Sequence, residues 1–330
     1  MLQCQVETVT QPHVRVSGVA GELRHLRASV SAVGEKLGIG LLSAGTNPVA
    51  LWREQKLTEK ERYGEINRDL GMIGLRNLVC GMHVHVAPPA DVDRIWLMNR
   101  MLPRLPLLFA LSTSSPFWEG RPTGLVSYRL AAYRELPRTG LPPAVSTQDE
   151  YDAYIGALVG ANVIPDASYV WWAIRPSLNY PTLELRISDA CTRVEDTAAI
   201  AALYQCLLVM LVEEEEDAPV NGPYNRAIAE ENLWRVQRYG LAAPFIDCGT
   251  GSALPIRECI SALVQKLESF AIRLQCVDEL AHVNTLLDNG TSAECQLELL
   301  GKAIARGESL EAGMKEVVHW LMRETEGRPS

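Results

Sequence analysis

A chain of 330 residues is long enough to bury a substantial core, and 47% hydrophobic with 22% charged residues is the composition of a soluble globular protein. Forty acidic against 31 basic residues give a formal net charge of −9, which argues against non-specific binding to nucleic acid or anionic membranes, and no basic run offsets it. No stretch reads as an uninterrupted membrane span and the N-terminus lacks a signal-peptide pattern, so a cytoplasmic protein is expected. The eight cysteines are scattered without a CxxC pair and read as reduced core residues.

In chain order, MLQCQVETVT alternates as a strand does, with Gln3, Gln5 and Glu7 on one face and Cys4, Val6 and Thr8 on the other. Residues 19–37 have helical spacing, with Leu23, Leu26, Val30 and Val33 on one side and Gly38 as the stop. Residues 39–43 read as a short buried strand. It leads into the turn Ala44-Gly45-Thr46-Asn47-Pro48, whose glycine would let backbone approach a ligand closely. A capping box from Thr58 to Glu61 opens a helix to about residue 78, with Arg62 and Tyr63 in its first turn.

VCGMHVHV, residues 79–86, is a second strand, placing His83 and His85 together opposite Met82, Val84 and Val86. Residues 91–112 form a long, mostly buried helix interrupted by Pro103 and Pro106. The stretch 113–143 is too long for a casual connection. Its Phe117, Trp118, Tyr128 and Tyr133 favour an ordered, substrate-facing loop that also carries Arg129. A second capping box, Thr147 to Glu150, starts a helix to about residue 160.

YVWWAIRPSLNYPTLELRISD, residues 169–189, reads as two strands around a turn at 176–181. In the second strand Thr182, Glu184, Arg186 and Ser188 share one face, and Leu183, Leu185 and Ile187 the other. Arg175, ending the first strand, can join the polar face. Thr192 to Glu195 is a third capping box, opening an apolar helix that runs into the acidic tract 213–217. NLWRVQRYGL closes a further helix with Arg235 and Arg238 one turn apart. Three helical patterns follow at about 256–284, 292–306 and 309–325 and read as a helical cap on a single domain spanning 1–330.

If the three strand-like stretches pair in one sheet, its polar side gathers Glu7, His83, His85, Arg175, Glu184 and Arg186. Carboxylates that bind divalent cations beside arginines that bind phosphate are what ATP chemistry needs. Two other readings stand. One is a solvated sheet face with a cross-strand ion pair. The other is a metal-dependent hydrolase using His83 and His85, which lacks further ligands because His13, His25, His282 and His319 fall on predicted helices or near the N-terminus.

GMHVHV, LSTSSPFWEGRPTG followed by Ser127-Tyr128-Arg129, WWAIRPS, TLELRISD and NLWRVQRYGL resemble, in order, the motifs of the bacterial carboxylate-amine ligases, the type 2 glutamate–cysteine ligase family. The resemblance runs from QVETVT through GTNP and ERY to the last of these motifs. It implies an α+β fold related to glutamine synthetase: an antiparallel sheet whose concave face binds ATP and magnesium, with helices on the other face. It also implies joining of an amino-acid carboxylate, such as the γ-carboxylate of glutamate, to an amine such as cysteine through an acyl phosphate. Both substrates are small molecules, and a homo-oligomer is an expectation from the resemblance alone.

Matched motif to motif, Glu7, His83 and Glu184 fall at magnesium-ligand positions and Arg186 at a phosphate-contacting one. Arg186 and Arg175 then stand as catalytic residues, with Arg129 and Arg235 as further clamps on nucleotide, while His85 orients a ligand or the substrate. Family members begin with an additional Gly-x-Glu-x-Glu strand that does not precede Glu7 here. The expectation is therefore divided between a ligase whose natural chain is longer and a relative that keeps nucleotide or partner binding without catalysis.

Overall fold

The computed structural model describes residues 2–59, 69–214 and 223–327. The helix expected from Thr58, with Arg62 and Tyr63, falls largely outside them and is followed by a single helical turn, Met72–Leu75. The acidic tract beyond Glu214 also lies outside.

Helix α1, Val16–Lys36, ends where Gly38 takes a positive φ of 70°. Strand β1 is Val84–Val86. The long helix expected next is broken as its prolines dictate, into α2 (Arg94–Met101), a 3₁₀ turn at Leu102–Arg104 and α3 (Leu105–Ser112). Every residue of α3 is buried, consistent with a helix that is apolar on all sides. A two-stranded hairpin, β2 (Phe117–Trp118) and β3 (Arg121–Pro122), precedes α4 (Tyr128–Tyr133). Helix α5, Gln148–Gly160, is capped by the Thr147 side chain, which accepts the Glu150 amide.

Strands β4 (Ile174–Pro176) and β5 (Leu183–Leu185) complete a three-stranded antiparallel sheet in the order β1-β5-β4. Leu183, Leu185 and Ile187 are fully covered on the core side, where the Tyr204 hydroxyl of α6 (Val194–Glu213) donates to the Leu183 carbonyl at 3.2 Å. Helix α6 is the spine of the main hydrophobic core. By length and hydropathy it could cross a membrane, contrary to the reading that no stretch could, but 83% of its apolar window is buried by other elements. That is how a central core helix reads. The third capping box does not form: Thr192 bonds Ser292 at 2.6 Å and Arg193 is the uncapped N-cap residue.

Helix α7 (Pro223–Tyr239) and the hairpin β6 (Pro244–Ile246) and β7 (Ala253–Pro255) lead to four C-terminal helices rather than three. The first pattern splits into α8 (Ile256–Leu274) and α9 (Val277–Asn289) because Gln275 turns left-handed, with φ 55°. That turn lets Ile260, Val264 and Leu267 on one helix and Leu280, Val283 and Leu286 on the next face the same core. Helices α10 (Ser292–Ala305) and α11 (Leu310–Glu326) pack on each other and, with Ala44 and Phe117, form a second cluster.

Two expected strands are absent among the described residues. Residues 39–43 are irregular, and the opening segment makes only an isolated bridge, Leu2 to Leu57. Its alternating apolar side is not covered by the described residues, since Cys4, Val6 and Thr8 are all exposed, Val6 by 65%. Its contacts run instead through side chains, as in Gln5 donating to the Val79 carbonyl at 2.9 Å. Alternation forms a strand only where a ladder partner and a core meet it.

Candidate active site

The sheet register decides which side chains meet. His85 and Arg175 both lie opposite Glu184, so a basic residue on each neighbouring strand flanks the one carboxylate of the central strand. Arg175 Nε donates to Glu184 Oε2 at 2.8 Å, and Arg186 Nη1 donates to Oε1. His83 Nδ1 and His85 Nε2 stand 3.6 and 3.7 Å from Oε1, and His83 Nδ1 lies 3.4 Å from Arg186 Nη1. The structure thus brings together His83, His85, Arg175, Glu184 and Arg186, as the period-two reading expects.

The face is not solvated in the way an ordinary ion-pair surface is. Glu184 is 3% and Arg186 8% exposed, while His83 and His85 form a rim with about a third of each side chain open. Arg186 Nη2 donates to the Tyr133 hydroxyl at 3.2 Å, and its buried Nε has no partner among the described residues. An anion reaching the face would satisfy that donor. Arg175 spends Nη1 on the carbonyls of Val170, Ser168 and Ala167, tying the sheet to the turn before it.

Burial pushes the Glu184 carboxyl up, but the two guanidinia outweigh it and hold the group down at about 2. His83 is driven well below the usual imidazole range by burial and by the Arg186 charge, and His85 is lowered mainly by burial. Both effects make acid destabilise the fold. Below pH 6.5 an unfolded His83 takes up a proton that the folded one refuses, and below about 4.3 an unfolded Glu184 does the same. Stability is therefore expected to fall on acidification from near pH 6.5, with Glu184 contributing about 3 kcal/mol, lost progressively from near pH 4.3 as pH falls through 2. Denaturant melts at stepped pH check this, and Glu184→Gln should remove the lower part of the slope; an unchanged slope in that variant would contradict the assignment.

Arg129 and Arg235 are placed elsewhere. Arg129 is buried, donating to the Ile187 carbonyl at 2.8 Å and the Arg186 carbonyl at 3.1 Å, with Asp189 Oδ1 3.7 Å away. It thus braces the continuation of β5 from beneath instead of standing open as a clamp. Asp189, missed as a site-building residue although it ends the TLELRISD motif, accepts from Ser115 at 2.6 Å, Ser127 at 2.9 Å and the Ser114 amide at 3.1 Å. Burial raises its pKa and Arg129 opposes the rise.

The glycines of two motifs serve this network. A Cβ on Gly81 would overlap the Arg129 guanidinium, and one on Gly45 would lie 2.6 Å from Asp189 Oδ2, so close approach to protein calls for glycine at both positions. Arg235 pairs with Glu231 at 2.8 Å one turn away on α7, outside the cluster. Glu7 sits in exposed coil beside the segment that enters β1.

Magnesium prefers several oxygen ligands in octahedral array. Among the described residues no group of three or more His, Cys, Asp or Glu is assembled to hold a metal ion, and both oxygens of Glu184 are engaged by arginines. As arranged, Glu7, His83 and Glu184 do not fit a resident magnesium ion.

The architecture, a small antiparallel sheet backed by apolar helices and closed by a C-terminal helical layer, is that of the glutamate–cysteine ligase fold. It matches the glutamate–cysteine ligase of Francisella tularensis, solved in complex with AMP, with a TM-score of 0.67 over 97% of this chain and 80% of that one, at 14% identity. Sequence carries the relationship further. The profile of glutamate–cysteine ligase family 2 matches residues 1–316. A Bradyrhizobium diazoefficiens protein provisionally named glutamate–cysteine ligase 2 is 47% identical over 90% of this chain and 69% of its own length. A Jannaschia protein of the same provisional name is 41% identical over 98% and 85%. The chain belongs to glutamate–cysteine ligase family 2.

Proposed function

We propose that residues 1–330 act as one catalytic domain that joins an amino-acid carboxylate, the γ-carboxylate of glutamate, to an amine such as cysteine at the expense of ATP. The observation that carries this reading is the convergence of Arg175, Arg186 and two imidazoles on Glu184, on the sheet face of a chain of this family. A carboxylate oxygen attacks the γ-phosphorus, the bond to the bridging oxygen breaks and ADP leaves. The amine nitrogen then attacks the acyl carbon, expelling phosphate and losing a proton to solvent.

Arg186 is the side chain assigned to the phosphoryl group, since a guanidinium neutralises charge on transferring oxygens and pairs with two of them at once. Glu184 and Arg175 fix its direction. Arg129 braces the same strand through the carbonyl of Arg186. ATP enters as a substrate with its own magnesium, whose remaining sites phosphate and water oxygens fill. The cytoplasm, which keeps the cysteines reduced and supplies these substrates, is the expected compartment.

A second reading, nucleotide binding without turnover, is favoured by the engagement of both Glu184 oxygens and the lack of an assembled metal site among the described residues. ADP release from MgATP with glutamate and a panel of amines separates the two. Release that needs both co-substrates supports the ligase, whereas ATP binding with no release under any pairing overturns it in favour of the second reading.

A further inference from the structure

We infer that Tyr133 is a positioning residue for Arg186, setting the direction in which its guanidinium meets a phosphate-bearing ligand. The inference rests on the ligase reading above and adds to it a residue outside the sheet. Tyr133 is the last residue of α4, and its half-buried ring stands between two arginines of different duty. Its hydroxyl accepts from Arg186 Nη2 at 3.2 Å and lies 3.3 Å from the Trp171 carbonyl, to which it donates. Its ring carries the buried Arg129 guanidinium, 5.1 Å from the centroid.

These contacts give Tyr133 a fixed place. A hydroxyl whose proton is committed to a carbonyl can meet Arg186 only as an acceptor. Arg186 is then held at two points, Glu184 on Nη1 and Tyr133 on Nη2, which fixes the direction of its remaining donors, the second Nη2 hydrogen and the buried Nε that has no partner among the described residues. Without the hydroxyl the guanidinium keeps its charge and its carboxylate but can swing about the Glu184 contact. Tyr133 also links the open face to the Asp189 network beneath it, because Arg129 touches both.

Tyr133→Phe removes the hydroxyl and keeps the ring over Arg129. In the full chain it should weaken ATP affinity by calorimetry and lower the ADP-release rate, each by about tenfold, with KM for the amine unchanged and a melting temperature near that of the wild type. Acting through Arg186, it should add nothing further in an Arg186→Lys background. A Tyr133→Phe protein that matches the wild type, or whose loss multiplies with that of Arg186→Lys, overturns the inference and leaves the ligase reading standing. A wild type that neither binds nor turns over ATP removes both.

Discussion

Glu184→Ala is expected to abolish amide formation and to destabilise the fold at the same time. The carboxylate is 3% exposed, with a guanidinium on each oxygen, so its removal leaves two poorly hydrated positive charges facing each other across the sheet. Breaking a buried pair from one side costs about 3–5 kcal/mol, most of it the penalty of the stranded charge. Had the face been solvated, as the strand's alternation suggests, the same change would spare the fold. Glu184→Gln keeps the volume and a carbonyl oxygen but not the charge, so it should recover only the packing part of the loss, and activity stays low because the amide no longer anchors both guanidinia. Melting curves and ADP release on the two variants give the answer. A Glu184→Ala protein with wild-type turnover would remove Glu184 from the site.

Arg186→Lys is expected to cost about 2–4 kcal/mol of transition-state stabilisation, a rate loss of roughly one and a half to three powers of ten. Lysine keeps the charge, but its three donors radiate from one nitrogen in place of a planar fork, so it cannot reproduce the geometry in which separate nitrogens meet Glu184 and Tyr133. The loss should fall on kcat more than on the KM of the amine, since the arginine is assigned to the phosphoryl group. Steady-state kinetics decide it; an unchanged kcat would make Arg186 a structural partner of Glu184 and nothing more.

The three strands that were read correctly and the two that were not differ in their surroundings. Residues 183–187 alternate against the core helix Val194–Glu213, so period two alone puts Glu184 and Arg186 together and aims Leu183, Leu185 and Ile187 inward. The opening segment shows the same alternation, but none of the described residues covers Cys4, Val6 and Thr8, and it stays irregular, leaving Glu7 in exposed coil.

Pattern likewise gives the residues of a face but not their depth. The partners of Glu184 and Arg186 are distant in sequence: Tyr133 meets Arg186, and Arg175, itself held by the turn at Ala167–Tyr169, meets Glu184. The Asp189 network was illegible for a related reason: Ser114, Ser115, Ser127, Arg129 and Asp189 come from three separate stretches, and only the fold shows that Gly45 and Gly81 are small to make room for them. The aromatic 113–143 stretch reads correctly as ordered, yet much of it is buried scaffold rather than a surface loop.

The most direct measurement is transfer of oxygen. Glutamate labelled with ¹⁸O in its γ-carboxylate is incubated with the protein, MgATP and cysteine, and the released phosphate is read by mass spectrometry. Formation of an acyl phosphate and its displacement by the amine carries one labelled oxygen into each phosphate released. Phosphate bearing the label in step with ADP is the expected result; unlabelled phosphate, or none, would contradict the assignment of this sheet face to carboxylate activation.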